Sequence, residues 1–566
     1  MKSMKTFLRL QYALIIFLFL ATIQVGAQEK NNFELSKNLE IYADLLRQLN
    51  LNYADDIKPG ELNTTAINAM LEKLDPYTVY VPESKREDFE LMTKGEYGGI
   101  GALIQQQGDY VIITEPYEEF PAQKAGLRAG DQIMSIDGES AKGKTTTEVS
   151  DKLKGVPGSE CILHIKRYGD SLTSKVTIVR EKIKIPNIPY SGFVSQGVGY
   201  ISLSQFNPNS AQDVRNAFSQ LATDQPLKGL IIDLRGNGGG LLNEAVDIVN
   251  IFVPKNELVV TTKGKTKASI QTHVTRNKEI DGSIPLVIMV DNNSASASEI
   301  VAGAIQDLDR GVIIGERTYG KGLVQNIVPL PYNSKVKITV AKYYIPSGRC
   351  IQAIDYFQQD GPMAVAKAPD SLISAFKTRK GRTVYDGGGI TPDVNVESRI
   401  FNQISGDLYS QNYIFRFVND FVLKHDSIAS IDQFQVTDSL FDAFKSFVSL
   451  QSFDYKTETE SLLSRIESSS TRESYYAAIG DQLGVMKELI KEEKKKDIDK
   501  HRSEIEEMIR VEIITRYYYQ KGKIKAALQN DPEIRDAIEL LENKNQYDSV
   551  LNGTYIAKIS DTTHLE

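Results

Sequence analysis

The chain has 566 residues, with 66 Lys and Arg against 74 Asp and Glu and a formal net charge of −8. Domains usually hold roughly 100–200 residues, so the length excludes a single compact core and predicts three or four. The acidic balance offers no general attraction to phosphate backbones or anionic membranes, which argues against nucleic acid as a partner.

The first 27 residues read as a signal peptide. Lys2, Lys5 and Arg9 lead into the apolar run from Tyr12 to Ile23, and Val25-Gly26-Ala27 supplies small residues for cleavage after Ala27. A retained anchor is the competing reading, but the uncharged stretch from Leu10 to Ala27 is only marginally long enough for a hydrocarbon layer of ~30 Å. Residues 28–94 form a helical module. Leu39, Tyr42, Leu45, Leu46 and Leu49 make one apolar stripe, and a second helix runs from Thr64 to Leu74, ending before Pro76.

Between 95 and 185 the pattern changes to short β segments punctuated by glycine, at Tyr110 to Ile113, Gln132 to Ile136, Ile162 to Lys166 and Lys175 to Val179. The run Gly99-Ile100-Gly101-Ala102-Leu103-Ile104, Pro121-Ala122 with Ala125-Gly126-Leu127, and Gly130-Asp131-Gln132-Ile133 before Ile136-Asp137-Gly138 resemble a PDZ domain. That resemblance implies capture of a C-terminal peptide by strand addition, with Gly99, Ile100, Gly101 and Ala102 in the loop that holds the carboxylate. A glycine-rich hairpin without a ligand is the plainer reading.

Residues 186–399 alternate continuous apolar strands with helices, as an α/β core requires. Strands are predicted at Gly199–Leu203, Gly229–Leu234, Leu286–Val290, Gly311–Gly315 and Val336–Tyr344, and helices at Ala211–Ala222, Leu242–Ile251 and Ala297–Leu308. From 400 to 566 the chain is helical and polar. The charged stretch Lys487 to Arg516 reads as a solvated helix face, with Tyr517-Tyr518-Tyr519 available to pack it onto the body, and no chemistry is assigned to this region.

The candidate chemistry lies in the 186–399 segment. Asn292 to Glu299 (Asn-Asn-Ser-Ala-Ser-Ala-Ser-Glu) joins a strand to a helix, a context that presents nucleophiles beside free backbone N–H groups. Ser296-x-x-Glu299 fits a helix capping box equally well. The stretch Arg317 to Gln325 breaks the tie by placing Lys321 between Gly320 and Gly322 at a sharp turn. Desolvation lowers a lysine from its reference of ~10.4 toward working pH and makes it a base for a serine hydroxyl. If Lys321 begins a strand, period-two alternation turns Gln325 to the same face. The turn Asp233 to Gly240 could cradle phosphate, but the Gly-Lys-Ser/Thr that a nucleotide loop needs does not follow it.

Together these stretches resemble the carboxyl-terminal processing proteases, tail-specific serine peptidases with a crotonase-like core. The resemblance covers roughly Leu39 to Asp393. It rests also on Leu74 to Tyr80 (Leu-Asp-Pro-Tyr-Thr-Val-Tyr), Pro346-Ser347-Gly348-Arg349 and Gly388 to Asp393, all in family order. Cys350 and the segment from Ile354 to Thr378 depart from the pattern. The resemblance implies a multidomain α/β chain: a crotonase-like α/β protease core with an inserted PDZ domain, a helical N-terminal module and a helical C-terminal region. It implies Ser296 as nucleophile, Lys321 as base, Gln325 as its assistant, and an oxyanion hole from the Ala297 amide and either Gly239 or Gly240. The expected partners are proteins or peptides with apolar C-terminal tails, and the resemblance admits an adaptor or activator and a homodimer.

No cofactor is expected. Nor is a metal, since His164, His273, His425, His501 and His564 are scattered and form no ligand motif. Cys161 and Cys350 fall in different predicted domains and read as buried thiols. Export to the periplasm or cell envelope follows from the leader. The rival function is a non-catalytic secreted PDZ scaffold or chaperone, which has no need to keep Ser296, Lys321 and Gln325 at these spacings.

Overall fold

The computed structural model describes residues 32–85, 89–91, 95–353, 373–397 and 399–555. The predicted signal peptide, and most of the poorly matched 354–378 segment, lie outside the described residues. Two compact units divide the chain at residue 80. The first contains a helix over 32–52 and a second at Pro59–Leu71. This second helix begins earlier than expected because Pro59 suits a first helical turn, where no N–H partner is needed. Within its unit the predicted stripe is partly buried at Tyr42, Leu46 and Leu49 and more than half exposed at Leu39 and Leu45.

In the second unit the PDZ strands are β1 (Glu96–Gly99), β2 (Ala102–Gln107), β3 (Tyr110–Pro116), β4 (Gln132–Ile136), β5 (Glu160–Lys166), β6 (Thr173–Val179) and β7 (Glu181–Lys184). Strand β2 is an edge of the sheet β2-β3-β4-β5-β6, and helix α1 (Thr146–Leu153) touches it. The Ile185 N–H donates to the Gly95 carbonyl (2.9 Å), and β1 pairs with β7, so the domain enters and leaves at one point. Val111, Ile113, Ile133, Leu163 and Ile165 pack with one another in its own core.

The peptidase segment opens with β8 (Tyr190–Ser195), antiparallel to β9 (Val198–Ser202). Parallel strands follow in the order β9, β10 (Gly229–Asp233), β11 (Leu286–Val290), β12 (Val312–Gly315) and β13 (Val394–Asn395). Their period-two alternation divides the buried residues between two faces. Ile201, Ile232, Ile288 and Ile313 meet helices α2 (Ser210–Asp224), α3 (Leu242–Phe252) and α4 (Ala297–Asp307). Tyr200, Ile231, Val287 and Ile314 face the other way.

A second sheet contains Leu258–Gly264, Gln271–Val274, Leu323–Pro329 and Lys335–Tyr344. Only the last of these was expected from the sequence. The others are short or half exposed and lack the continuous apolar run that marks the parallel strands.

The C-terminal region has two parts. Helices Gln403–Ser410, Tyr413–Val422, Asp438–Ser449 and Arg502–Leu528 share an aromatic core that includes Phe417, Phe441 and Phe444. The charged stretch is not wholly solvated: Ile505, Ile509 and Ile513 are fully buried in that core, at a four-residue spacing hidden among the charges. Helices α5 (Pro532–Glu542) and α6 (Lys544–Leu551) have no separate core and lay Ile534, Leu540 and Tyr547 against the second face of the parallel sheet. Tyr517 and Tyr518 bond to the carbonyls of His425 and Ala429, while Tyr519, at a break in the Arg502–Leu528 helix, accepts from Gln123 of the PDZ domain (2.8 Å). Of the three tyrosines, Tyr517 and Tyr518 thus fasten the helix within its own region, and Tyr519 ties it to the PDZ domain. Among the described residues no helix is long and apolar enough to cross a membrane.

Candidate active site

The turn between β11 and α4 carries three serines in different circumstances. Ser294 and Ser298 are fully buried. Ser294 Oγ donates to the Leu234 carbonyl (2.8 Å) and accepts from Asp291 N–H (3.0 Å), and Ser298 Oγ donates to the Asn237 carbonyl (2.9 Å). Both hydroxyls are spent on fastening the turn to the end of β10. Ser296, between them, is partly exposed, and its hydroxyl donates to no group among the described residues. Its backbone sits at φ 57° and ψ −110°, a conformation rare outside glycine and one that collects at functional turns. The helix begins at the next residue, so the Ala297 N–H lies at the positive end of α4 with no partner among the described residues. The capping-box reading holds as well, since Glu299 accepts from Ser296 N–H (2.8 Å).

Asn237 shapes the facing glycine turn. Fully buried, it donates to the Leu203 carbonyl (2.7 Å), accepts from Gly239 N–H at Oδ1 (2.9 Å), and its carbonyl accepts from Ala295 N–H (3.0 Å). A β-carbon on Gly239 would lie 2.8 Å from Ser296 Cβ and 2.9 Å from Ala297 N, so only glycine permits this approach. The two glycines differ as donors: Gly239 N–H is occupied by Asn237, whereas Gly240 is exposed and its N–H has no partner among the described residues.

The Lys321 turn meets this assembly directly. Tyr319 N–H donates to the Ser294 carbonyl (3.1 Å), and Lys321 N–H donates to Glu299 Oε2 (2.9 Å), the same atom that accepts from Ser296 N–H. Oε1 of Glu299 accepts from Thr318 Oγ1 (2.6 Å) and Gly320 N–H (2.7 Å). Burial pushes the Glu299 carboxyl above its ordinary range, and these four donors pull against that shift. The Tyr343 hydroxyl lies 2.6 Å from the Lys321 carbonyl oxygen and 3.1 Å from that of Ser296.

Gly320 has φ 85°, and a β-carbon there would be 2.5 Å from Ala353 Cβ. At Gly322 it would be 2.9 Å from Gln352 N. The glycines flanking Lys321 thus allow its turn to nest against residues 352–353. The alternation argument for Gln325 fails locally. The strand starts at Leu323, not Lys321, and its pairing with Lys335–Tyr344 slips by one residue between Val324 and Gln325. Gln325 Nε2 donates to Thr339 Oγ1 (3.4 Å).

Gly99, Ile100, Gly101 and Ala102 connect β1 to the edge strand β2. Gly101 has φ 73°, with Phe120 Cβ 2.6 Å from where its own β-carbon would be. Carbonyls of Ile100 and Gly101 accept from Ala122 N–H (2.7 Å) and Tyr117 N–H (2.9 Å), while the Ile100 and Gly101 N–H groups have no partner among the described residues. Of the two cysteines, Cys161 is buried and Cys350 partly so, and neither is in a disulfide.

Reasoning from sequence took Glu299 only as a helix cap and passed over Asn237, Thr318 and Tyr343. The acid in Ser-x-x-Glu was visible as a pattern, but nothing in sequence spacing brings Tyr343 to the turn.

A parallel sheet with a strained serine at a helix start, a glycine turn against it and a lysine turn tied to the serine turn defines the class of serine peptidases with an attached PDZ domain. Family models agree: Peptidase family S41 matches residues 197–361, PDZ domain matches 112–167, and "Probable PDZ-protease, C-terminal helical domain" matches 404–541. A carboxy-terminal-processing protease of Bartonella bacilliformis is 36% identical over 330 residues, which are 58% of this chain and 74% of the relative. A probable CtpA-like serine protease of Staphylococcus saprophyticus is 33% identical over 328 residues, 58% of this chain and 65% of the relative. Among solved structures, a photosystem II D1 C-terminal processing protease is similar at 30% identity and TM-score 0.34, covering 62% of this chain and 86% of its own. The chain belongs to the carboxy-terminal-processing proteases of peptidase family S41, and is a peptidase of that family.

Proposed function

We propose that the protein is an endopeptidase with a Ser296–Lys321 dyad that cuts proteins chosen by their C-terminal tails. The observation that carries the dyad is the hydrogen bonding of the Ser296 and Lys321 main chains to one carboxylate oxygen, which puts the two turns side by side. Ser296 Oγ attacks the scissile carbonyl as Lys321 Nζ takes its proton. The carbonyl oxygen becomes an anion held by the amides of Ala297 and Gly240, the latter favoured over Gly239 because its N–H is uncommitted. The tetrahedral intermediate collapses, breaking the C–N bond, and Lys321 returns the proton to the leaving amine. Water, deprotonated by the same lysine, then hydrolyses the acyl-enzyme. Gln325 is assigned to hold the lysine by the family resemblance alone.

Tail selection belongs to the PDZ domain. The carboxylate is taken by the open amides of the Gly99–Ala102 loop, and the peptide adds to the edge of β2. The leader expected at residues 1–27 supports a reading of export to the periplasm or cell envelope.

The test is digestion of an unfolded protein, with an apolar or a charged C-terminal tail, by wild type, Ser296→Ala and Lys321→Ala. Cleavage should favour the apolar tail, fail in both variants, and rise with pH through a midpoint well below that of free lysine. Equal cleavage by Lys321→Ala would overturn the dyad, and indifference to the tail would overturn selection by the PDZ domain.

A further inference from the structure

We infer that Glu299 and Tyr343 are positioning residues of the peptidase, a buried carboxylate and a buried phenol that lock the main chains of Ser296 and Lys321 to each other. The inference rests on the Ser296–Lys321 reading and names what sets the geometry of that pair.

Glu299 is fully buried on α4 and receives four hydrogen bonds. Only one, from Ser296 N–H, is needed to cap the helix. The other three come from Thr318, Gly320 and Lys321, all on the base-bearing turn. Thr318 Oγ1 is itself directed, because it accepts from Ile390 N–H (2.6 Å) and so has its own proton to give Glu299.

Two other capping boxes in this chain show how different this is. Glu148 bonds only within its box with Thr145 and is exposed, and Glu460 adds only Lys494 to its box with Thr457. Burying a carboxylate is costly, and an exposed glutamate would cap α4 equally well. The burial of Glu299 therefore serves the second segment. Three of its four partners are main-chain N–H groups, which could accept no added proton.

Tyr343 makes the second tie from the opposite side. It is 1% exposed, its N–H donates to the Gly322 carbonyl (3.0 Å), and its hydroxyl gives its one proton to the Lys321 carbonyl, nearer than the Ser296 carbonyl. Ser296 and Lys321 are thus held together at their N–H groups by Glu299, while Tyr343 fixes the Lys321 carbonyl with the Ser296 carbonyl 3.1 Å from the same hydroxyl. A reaction that needs the serine hydroxyl and lysine amine aligned is sensitive to slippage between the turns on a scale of about 1 Å.

The experiment compares kcat, KM and thermal midpoint for full-length wild type, Glu299→Gln, Glu299→Ala and Tyr343→Phe, with Glu460→Ala as a capping-box control. Ser296→Ala and Lys321→Ala are assayed beside them. Glu299→Gln keeps the volume but only one acceptor oxygen, and should lower kcat about 100-fold with KM within about twofold. Glu299→Ala should be lower still. Tyr343→Phe, which loses one hydroxyl, should lower kcat about 10-fold, and Glu460→Ala should leave kcat unchanged. If the Glu299 variants do not fold, Tyr343→Phe decides. Wild-type kcat in folded Glu299→Gln or in Tyr343→Phe, with Ser296→Ala and Lys321→Ala inactive, would overturn this inference alone. Activity surviving in Lys321→Ala would mean that the dyad itself is wrong.

Discussion

The PDZ domain buries its apolar residues among themselves, whereas α5 and α6 bury theirs in the peptidase sheet. Both are attached to the catalytic core, but they depend on it differently. The PDZ domain is inserted at a single point, with Gly95 and Ile185 hydrogen bonded, and its removal cuts no core in two. The last two helices are the second covering layer of a parallel sheet that needs both faces covered. They are also tied to the glycine turn by charge. Arg235 bonds to Asp233 (2.7 Å), to Asp531 (2.8 Å), which caps α5, and to Glu533 (3.1 Å). Burial works to lower the guanidinium, but Asp233 and Asp531 raise it overall, so it stays charged. A domain outside the catalytic segment therefore helps to hold the turn that carries Gly239 and Gly240.

The comparison breaks most sharply under deletion. A chain ending after Asn530 should lose cooperative unfolding of the peptidase core altogether, whereas replacing residues 96–184 with a short glycine linker should preserve it. Circular dichroism during urea titration checks both. Cooperative unfolding of the truncated chain with an unchanged slope would show that α5 and α6 are dispensable. Next in size, Arg235→Ala leaves three carboxylates clustered without their cation and should cost about 3–5 kcal/mol, measured by the same titration. Ile534→Ala and Ile133→Ala should each cost about 2–5 kcal/mol. The first should move the peptidase transition, the second only that of the PDZ domain, and hydrogen exchange resolved by segment distinguishes them.

The smallest effect is a pH dependence. Burial raises the Glu533 carboxyl above its ordinary 4.5, with Arg235 opposing and Asp531 reinforcing the shift. The folded state thus holds the proton more tightly than the unfolded state. That contribution is fully present below pH 4.5 and is lost as pH rises through the folded value. Glu533→Gln should remove the loss, so its stability relative to wild type should improve between pH 4 and 7. A difference that does not change with pH would place the ionisation elsewhere.

The same contrast explains what could be read in the sequence. Strands such as Leu286–Val290 are continuous apolar runs because both faces are covered, and their bounds were legible to within a residue or so. The run does not say what covers the second face, and residues some 140 positions beyond the last strand do so. The PDZ domain was legible because its turns must hold glycine at left-handed positions such as Gly101, Gly126 and Gly138. At the candidate site, Ser296 and Lys321 stood out through their flanking small residues, which exist so that turns can touch. Glu299 was legible only as a cap, since three of its four partners come from a turn about 20 residues away. Tyr343 was read as one more strand residue because its function depends on the pairing of a second sheet that the sequence hardly marks.

The placement of α5 and α6 also has a consequence in time. Synthesis proceeds at about 5–20 residues per second, so the sheet strands are complete on the order of ten seconds before Ile534 and Leu540 are made. During that interval the serine and lysine turns exist as sequence, but the sheet that aligns them has one bare face. A nascent chain that has not yet reached Pro532 therefore lacks the layer that covers the second face of its sheet.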